Sequence, residues 1–385
     1  MVRHSASRPA PAALPFLCVF SSSLLLTIAL AAGCGEPPAT PPATGAAAEP
    51  VDVESLCERI DRVLAHARDG RQLNTSDHAA WQVVHGILAF GDDFPVLHDG
   101  EASPALEYLL AGGRLTGWTL RPTPHGVLAV LDPGSKTGQG HPDQWLGYLS
   151  QCSLGGLPLE AEISAGGESH RVEDLLSQAQ HDLQTGQEAT WTLMALSTYL
   201  PIDATWTAGD GTEWTLEKLV AMEAAADLAD SACGGSHRLY GLTVAMNRYL
   251  AATGLEADAL AGGWADAEDR IQEAIELARL YQQPDGSFST NFFERPSTSP
   301  DVFAKIGSTG HTFEFLAMAL ETDRLQEPWV QRAADALVTL LEQTADVPVE
   351  CGGLYHAAHG LVLYRARVCG ASGEPTVATA ALPQR

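Results

Sequence analysis

The sequence predicts an all-α fold, an α/α toroid of inner and outer helices with a small β-rich insertion at about 113–165. From Val51 onward, apolar residues recur at spacings of three and four, which is typical of helices that bury one face. A glycine followed by a polar residue recurs at the starts of alternate helices. Residues 113–165 are instead rich in glycine, proline and β-forming side chains, which favours short strands and loops.

The apolar spacing places helices near 52–67, 76–90, 104–111, 171–185, 187–200, 215–231, 234–253, 264–283, 309–321, 327–345 and 353–368. Thr215 stands where an N-cap residue is expected. Residues 166–176 resemble residues 210–220, and both place a glycine turn and a short polar strand before a helix. Residues 284–307 contain Pro284, Gly286, Pro296 and Pro300 and predict a long loop.

The repeated helix start is the most informative pattern. It occurs at 233–242, 351–361, 310–316, 81–88 and, more loosely, 188–193. His237, His311 and His356 take matching positions in it, and a second polar residue follows about one turn later on the same face. Alternate helices that carry this pattern predict an inner ring, whose first turns face one central mouth.

Residues 274–288 carry a second motif, in which Gln282, Gly286 and Phe288 are spaced as Gln-x-x-x-Gly-x-aromatic. This motif resembles the repeat of terpenoid cyclases and protein prenyltransferases. The resemblance implies an α/α toroid in which the motif ends an outer helix and turns the chain towards the next inner one. It implies little about activity. The Asp-x-Asp-Asp motif of terpenoid cyclases is absent from the sequence, so an isoprenoid cyclase or transferase is the disfavoured alternative.

The first 34 residues resemble a bacterial lipoprotein signal. Arg3 and Arg8 precede an apolar stretch, and residues 30–33 then lead through small side chains to Cys34. The resemblance implies cleavage before Cys34 and attachment of lipid, palmitate included, to that residue. We therefore expect a signal peptide (1–33), a lipidated cysteine with a Pro/Ala linker (34–51), an α/α-toroid domain (52–370) and a disordered tail (371–385).

The net charge of the chain limits the classes of partner that it can bind. Removal of residues 1–33 takes away two arginines and leaves 20 basic against 48 acidic side chains, a formal charge of −28. Such a chain repels phosphate backbones, so nucleic acid is excluded as a partner. We expect a protein of the cell envelope, held to a membrane by its lipid anchor, that faces the periplasm or the exterior and meets a glycan or another small envelope ligand.

The candidate pocket is the mouth of the predicted ring. Its expected lining consists of His237, Tyr240, His311, Glu314, His356 and His359. Three histidines at equivalent helix starts can converge on a ligand, although a lone histidine more often packs between helices. We expect no cofactor; the alternative is a zinc site that uses Cys233, His311 and Cys351, because cysteine and histidine suit that metal.

These residues predict a ligand-binding or scaffolding lipoprotein. The main enzymatic alternative is a polysaccharide lyase or hydrolase at the histidine-lined mouth. A lyase can use His311, Glu314 and Tyr240, and a hydrolase can use Glu314 with Asp301 as its two carboxylates. A third alternative is purely structural, with side chains filling the mouth, for example Phe292 and Phe293.

Overall fold

Residues 51–132, 137–152 and 156–370 are described by the computed structural model, and these residues form thirteen α-helices and eight short strands. The mostly α-helical class predicted from the sequence is confirmed. The signal peptide, Cys34 and the tail at 371–385 lie outside the described residues, so their predictions stand untested.

The helices are α1 (Val53–Ala65), α2 (Ala80–Phe90), α3 (Ala105–Leu110), α4 (Gln144–Leu149), α5 (Val172–Asp182), α6 (Thr190–Tyr199), α7 (Leu216–Ala225), α8 (Ser236–Thr253), α9 (Gly263–Leu280), α10 (Val302–Ala319), α11 (Thr322–Leu325), α12 (Pro328–Gln343) and α13 (Cys351–Val368). The strands are β1 (Pro95–His98), β2 (Glu101–Pro104), β3 (Trp118–Thr123), β4 (Gly126–Leu131), β5 (Glu162–Ala165), β6 (Glu168–Arg171), β7 (Thr205–Thr207) and β8 (Glu213–Thr215).

The strands pair as four separate antiparallel hairpins, β1–β2, β3–β4, β5–β6 and β7–β8. Strands β6 and β8 lead directly into α5 and α7, as the similarity of residues 166–176 and 210–220 predicts. Gly166 and Gly167 form the turn of β5–β6 with φ of 62° and 87°, a region that glycine enters without a steric penalty. The Thr215 hydroxyl caps α7 by accepting the backbone N–H of Lys218.

Two classes of helix differ in burial. Helices α2, α4, α6, α8, α10 and α13 are buried along most of their length, and each contacts the next in that order, with α13 returning to α2. Helices α1, α5, α7, α9 and α12 bury one face only. Trp329, Val330, Ala333, Leu337 and Leu341 on α12 are buried at spacings of three and four, which is the pattern of an amphipathic helix on a core.

Helix α10 corrects one predicted boundary. The sequence places its start near 309, but α10 begins at Val302 and is capped by Asp301, whose carboxylate accepts the Phe303 N–H. Gly310 therefore lies inside the helix rather than in an opening turn. A Cβ at Gly310 would come within 2.8 Å of Ala357, so this glycine allows α10 and α13 to pack closely.

The insertion at 113–165 also differs from its prediction. The hairpin β3–β4 lies where the sequence places strands, but α4 lies inside the same segment and is one of the buried helices. At six residues, α4 is too short for its apolar spacing to distinguish a helix from a strand.

A disulfide joins Cys57 on α1 to Cys369 at the end of α13, across 312 residues of sequence. Cys152, Cys233 and Cys351 are free thiols. Among the described residues, every helix is too short or too polar to cross a bilayer.

Candidate functional site

Four buried helices each bring a histidine to one place. His85 on α2, His237 on α8, His311 on α10 and His356 on α13 are all 6% exposed or less. The ring centroid of His356 lies 4.2 Å from that of His311, 5.0 Å from that of His85 and 5.3 Å from that of His237. The structure therefore brings His237, His311 and His356 to one place.

The positions of these histidines along their helices differ from the prediction. His237 lies in the first turn of α8, but His356 is the sixth residue of α13 and His311 the tenth residue of α10. The rings still meet, because the three helices begin at different distances from the cluster. His85 belongs to the same cluster and is missing from the predicted lining, although the repeat at 81–88 contains it.

Glu314 links His356 of the cluster to His359, the remaining predicted histidine. Its carboxylate is 1% exposed; Oε2 lies 2.6 Å from Nδ1 of His356, and Oε1 lies 2.5 Å from Nδ1 of His359. Burial alone would raise the pKa of Glu314, but His356 and His359 hold that pKa well below its usual value. The carboxylate is thus an anion inside the core, bonded to both imidazoles.

The imidazoles of the cluster differ in protonation. Burial lowers the pKa of His356 to about 3, against the pull of Glu314, and lowers that of His85 to about 4. Burial and the neighbouring histidines place the pKa of His237 well below its usual value. For His311, burial acts to lower the pKa, but Cys233 and Glu314 outweigh it and raise the pKa to about 9. Neutral imidazole, the form favoured at His237, is the form that binds metals.

Cys233 joins two of these histidines in a group that can hold a metal ion. The ligand atoms of Cys233, His237 and His311 all lie within 4.8 Å of one another. Neither ring nitrogen of His237 has a hydrogen-bond partner among the described residues. Nδ1 of His311 lies 2.7 Å from the Gly307 carbonyl oxygen, which holds a proton on Nδ1, so Nε2 is the nitrogen that can bind a metal ion once the ion displaces its proton.

The backbone before α8 brings Cys233 into this group. Cys233, Gly234 and Gly235 have φ of 52°, 62° and 91°, three successive left-handed residues. A side chain at such φ is strained, and Cys233 is the one of the three that carries one. A Cβ at Gly234 would lie 2.3 Å from the ring of Phe292, so glycine is required there.

Cys351, the third member of the zinc site predicted from sequence, is not part of this group. Its buried Sγ lies 3.5 Å from Nε2 of Gln82, and burial raises its pKa to about 11. A thiol that stays protonated is a poor metal ligand. The third candidate metal ligand, beside Cys233 and His311, is therefore His237 and not Cys351.

Aromatic side chains surround the cluster. Trp191 stands edge-on to His237 with centroids 5.3 Å apart, and Phe292 stands edge-on to His311 at 6.4 Å. The Tyr148 hydroxyl lies 3.0 Å from Nε2 of His85. Phe293 packs on Phe315 instead. The segment that contains Phe292 therefore lies over one side of the histidines.

Tyr240 has a structural role in this arrangement. It is 1% exposed, and its hydroxyl donates to the backbone carbonyl oxygen of His311 at 2.9 Å. Asp301 and Glu314 are thirteen residues apart on α10, which separates them by about 20 Å along the helix axis. Two carboxylates that flank a glycosidic bond stand about 5–9.5 Å apart, so this pair does not fit the hydrolase alternative.

A cavity of about 650 Å³ lies away from the histidines, between α2, α3, α4 and the strands β3, β4 and β5. Its walls include Trp118, Trp145, Leu109 and Leu120, with Arg114 among them. No site histidine lines it.

The chain was compared with family models, with curated proteins and with solved structures, and nothing matches it in any of the three.

Proposed function

We propose that the chain is an exported lipoprotein, anchored through Cys34, whose helices form an α/α toroid around a zinc centre that binds a small ligand. The observation that carries this proposal is the convergence of Cys233, His237 and His311. One thiolate and two imidazoles are a donor set that zinc accepts. A tetrahedral zinc site holds neighbouring ligand atoms about 3–4 Å apart, so small side-chain movements close the group around the ion.

The sequence in which the helices contact one another supports the toroid. The six buried helices α2, α4, α6, α8, α10 and α13 contact each other in succession and return to α2. The helices between them in sequence are amphipathic and pack against that series from one side, for example α7 and α9 on α8. This alternation is the one the sequence predicts for inner and outer rings.

The unsatisfied nitrogens support a bound metal over a purely structural core. Both ring nitrogens of His237 and Nε2 of His356 are buried without a hydrogen-bond partner among the described residues. Leaving a buried polar atom unpaired costs about 1–3 kcal/mol. A metal ion bound at the group satisfies at least one of them, and the aromatic cover of Trp191 and Phe292 favours a small ligand over a polysaccharide chain.

The envelope location is supported by the signal-like residues before Cys34 and by the disulfide. A pair such as Cys57–Cys369 persists in oxidising compartments. The membrane anchor is tested by expressing the chain in a bacterium fed labelled palmitate. We expect label on the full-length chain and none on Cys34→Ser; equal labelling of both would refute the anchor.

Metal analysis of the purified full-length chain tests the zinc centre. We expect about one equivalent of zinc per chain, retained through dialysis. Cys233→Ser should lose most of it, because the thiolate is removed, whereas the matched variant Cys351→Ser should retain it. Less than about a tenth of an equivalent in the unmodified chain after zinc loading would refute the centre.

A further inference from the structure

We propose that the cavity of about 650 Å³ beside the hairpin β3–β4 is a second ligand site, which binds a small apolar carboxylate such as a fatty acid. The apolar body of the ligand lies inside the cavity, and its carboxylate lies at Arg114. The site is separate from the histidine cluster, and the inference is independent of the metal centre proposed above. Three features carry it: the cavity reaches the surface, its walls are apolar, and its mouth holds one unpaired cation.

The cavity extends from the core to the surface. At its inner end, Val84 on α2 and Trp145 on α4 are buried. At its outer end, Arg114 and the turn residues Gly166 and Gly167 are exposed. A Cβ at Gly167 would meet nothing within 4 Å, so the space beside this turn is open. A small molecule therefore reaches the cavity without a rearrangement of the core, and the volume is within the range of about 300–1,000 Å³ that is usual for small-molecule sites.

One face of the hairpin forms an apolar wall. Trp118 and Leu120 are two residues apart on β3 and share a face, and Ala129 on β4 lies directly opposite Leu120. The polar atoms of the two tryptophans in the lining are not offered to a ligand. Nε1 of Trp118 donates to the Gln139 carbonyl oxygen at 3.1 Å, and Nε1 of Trp145 is buried away from solvent. The indole rings therefore present hydrocarbon to the cavity.

The charge of the lining is opposite to that of the chain. Acidic side chains outnumber basic ones by 48 to 22, yet Arg114 is the one charged residue among those that line the described cavity. Its guanidinium forms no ion pair or hydrogen bond among the described residues, although its backbone carbonyl oxygen accepts the Tyr108 hydroxyl at 3.0 Å. The guanidinium presents a planar fork of donors, which matches a carboxylate in geometry and in charge.

These features together favour an amphiphile with one negative group. A carbohydrate fits poorly, because its hydroxyl groups need hydrogen-bond partners that hydrocarbon walls do not supply. A fatty acid buries its chain against Trp118, Trp145 and Leu109, and its carboxylate stays at the exposed rim, where little water is lost from the charge. The acidic surface of the chain repels anions only over a short range, because the Debye length is about 8 Å at physiological ionic strength.

The test is a calorimetric titration of the full-length Cys34→Ser chain, in which no attached acyl chain competes for the cavity. The probe is decanoate at neutral pH, and the matched probes are uncharged 1-decanol and cationic decylammonium. We expect one decanoate to bind per chain with a Kd in the micromolar range. Decanol should bind about tenfold more weakly, because it lacks one hydrogen bond to a charged group, and decylammonium should bind more weakly still.

Substitution of the mouth tests the charge. Arg114→Gln should weaken decanoate binding by about tenfold and leave decanol binding unchanged. The control Arg121→Gln removes an exposed arginine from the opposite face of β3 and should change neither affinity. Arg114→Lys should recover part of the loss, because lysine retains the charge and lacks the planar fork.

Substitution of the wall tests the location. Ala129→Trp fills the cavity with a side chain that strands accept, and it should abolish binding of decanoate and of decanol alike. Circular dichroism shows whether the variant folds; if it does not, Leu115→Trp at the same cavity takes its place. A metal chelator should leave decanoate binding unchanged, which separates this site from the zinc centre.

Three outcomes would overturn the inference. The first is a folded chain that binds no decanoate, or binds decylammonium as tightly. The second is decanoate binding that persists unchanged in a folded wall variant, since the ligand would then lie elsewhere. The third is a neutral disaccharide that binds in place of decanoate and is lost in the wall variant. Failure of zinc binding would leave the inference untouched, and failure of decanoate binding would leave the zinc centre untouched.

Discussion

Glu314→Gln is the sharpest single test of the buried site in the metal-free chain. The carboxylate is 1% exposed and makes two hydrogen bonds with imidazole nitrogens, to His356 at 2.6 Å and to His359 at 2.5 Å. A hydrogen bond to a charged group contributes about 1.5–3 kcal/mol. Glutamine keeps one oxygen acceptor and faces the other imidazole N–H with its own NH₂ group. We therefore expect the free energy of unfolding to fall by about 2–4 kcal/mol.

The measurement is urea denaturation of the full-length chain with a chelator present, followed by circular dichroism. With an m-value of about 3 kcal/mol per molar urea, the midpoint should move down by roughly 1 M. The matched control is Glu276→Gln on the exposed face of α9, for which we expect less than about 0.5 kcal/mol. A change this small in Glu314→Gln would refute the buried carboxylate between two imidazoles.

Three further predictions concern the surroundings of the site. Burial raises the pKa of Asp143 to about 6, so the folded state loses stability as pH rises from about 4 to 6. Asp143→Asn keeps the hydrogen bond from the Thr192 hydroxyl and should raise the free energy of unfolding by about 2 kcal/mol at pH 7 and not at all at pH 4. Equal gains at the two pH values would contradict this prediction. Phe292→Ala should speed the release of cobalt to a chelator several-fold, because the ring covers His311; an unchanged rate would show another exit. Cys57→Ser should lower the free energy of unfolding by about 2–5 kcal/mol, because the disulfide with Cys369 closes a loop of 312 residues. A reductant should cause the same loss in the unmodified chain and no further loss in the variant.

Local patterns in the sequence were sufficient to predict most helices and one hairpin, and the errors have physical causes. The start of α10 was misplaced because residues 284–307 read as a loop and Gly310 as a turn residue, whereas Gly310 serves close packing against Ala357. Glycine suits a turn and a close contact between helices for the same reason, because it has no side chain. Only the position of the neighbouring helix shows which of the two applies. Helix α4 was missed because six residues are too few to show a period.

The site was predicted in part for a related reason. The repeated helix start identified His237, His311 and His356, since identical local patterns mark equivalent places in a repeating architecture. The metal group was predicted less well: Cys351 shares its Cys-Gly-Gly context with Cys233, but Cys233 lies in a left-handed turn before its helix, and Cys351 is already the first residue of its own. That difference in backbone directs one thiol to the histidines and the other to Gln82.

The cluster as a whole is explained better by a bound metal than by packing. A core made for stability alone would place apolar side chains here, because each buried imidazole nitrogen left unpaired costs free energy. The chain instead holds Cys233 in a strained backbone and leaves both nitrogens of His237 unpaired. It also buries a carboxylate that orients His356. The costs at Cys233 and His237 are offset if, as proposed, an ion binds the thiolate and the imidazoles. Metal-free chain should therefore be measurably less stable than metal-loaded chain, and the gap should disappear in Cys233→Ser.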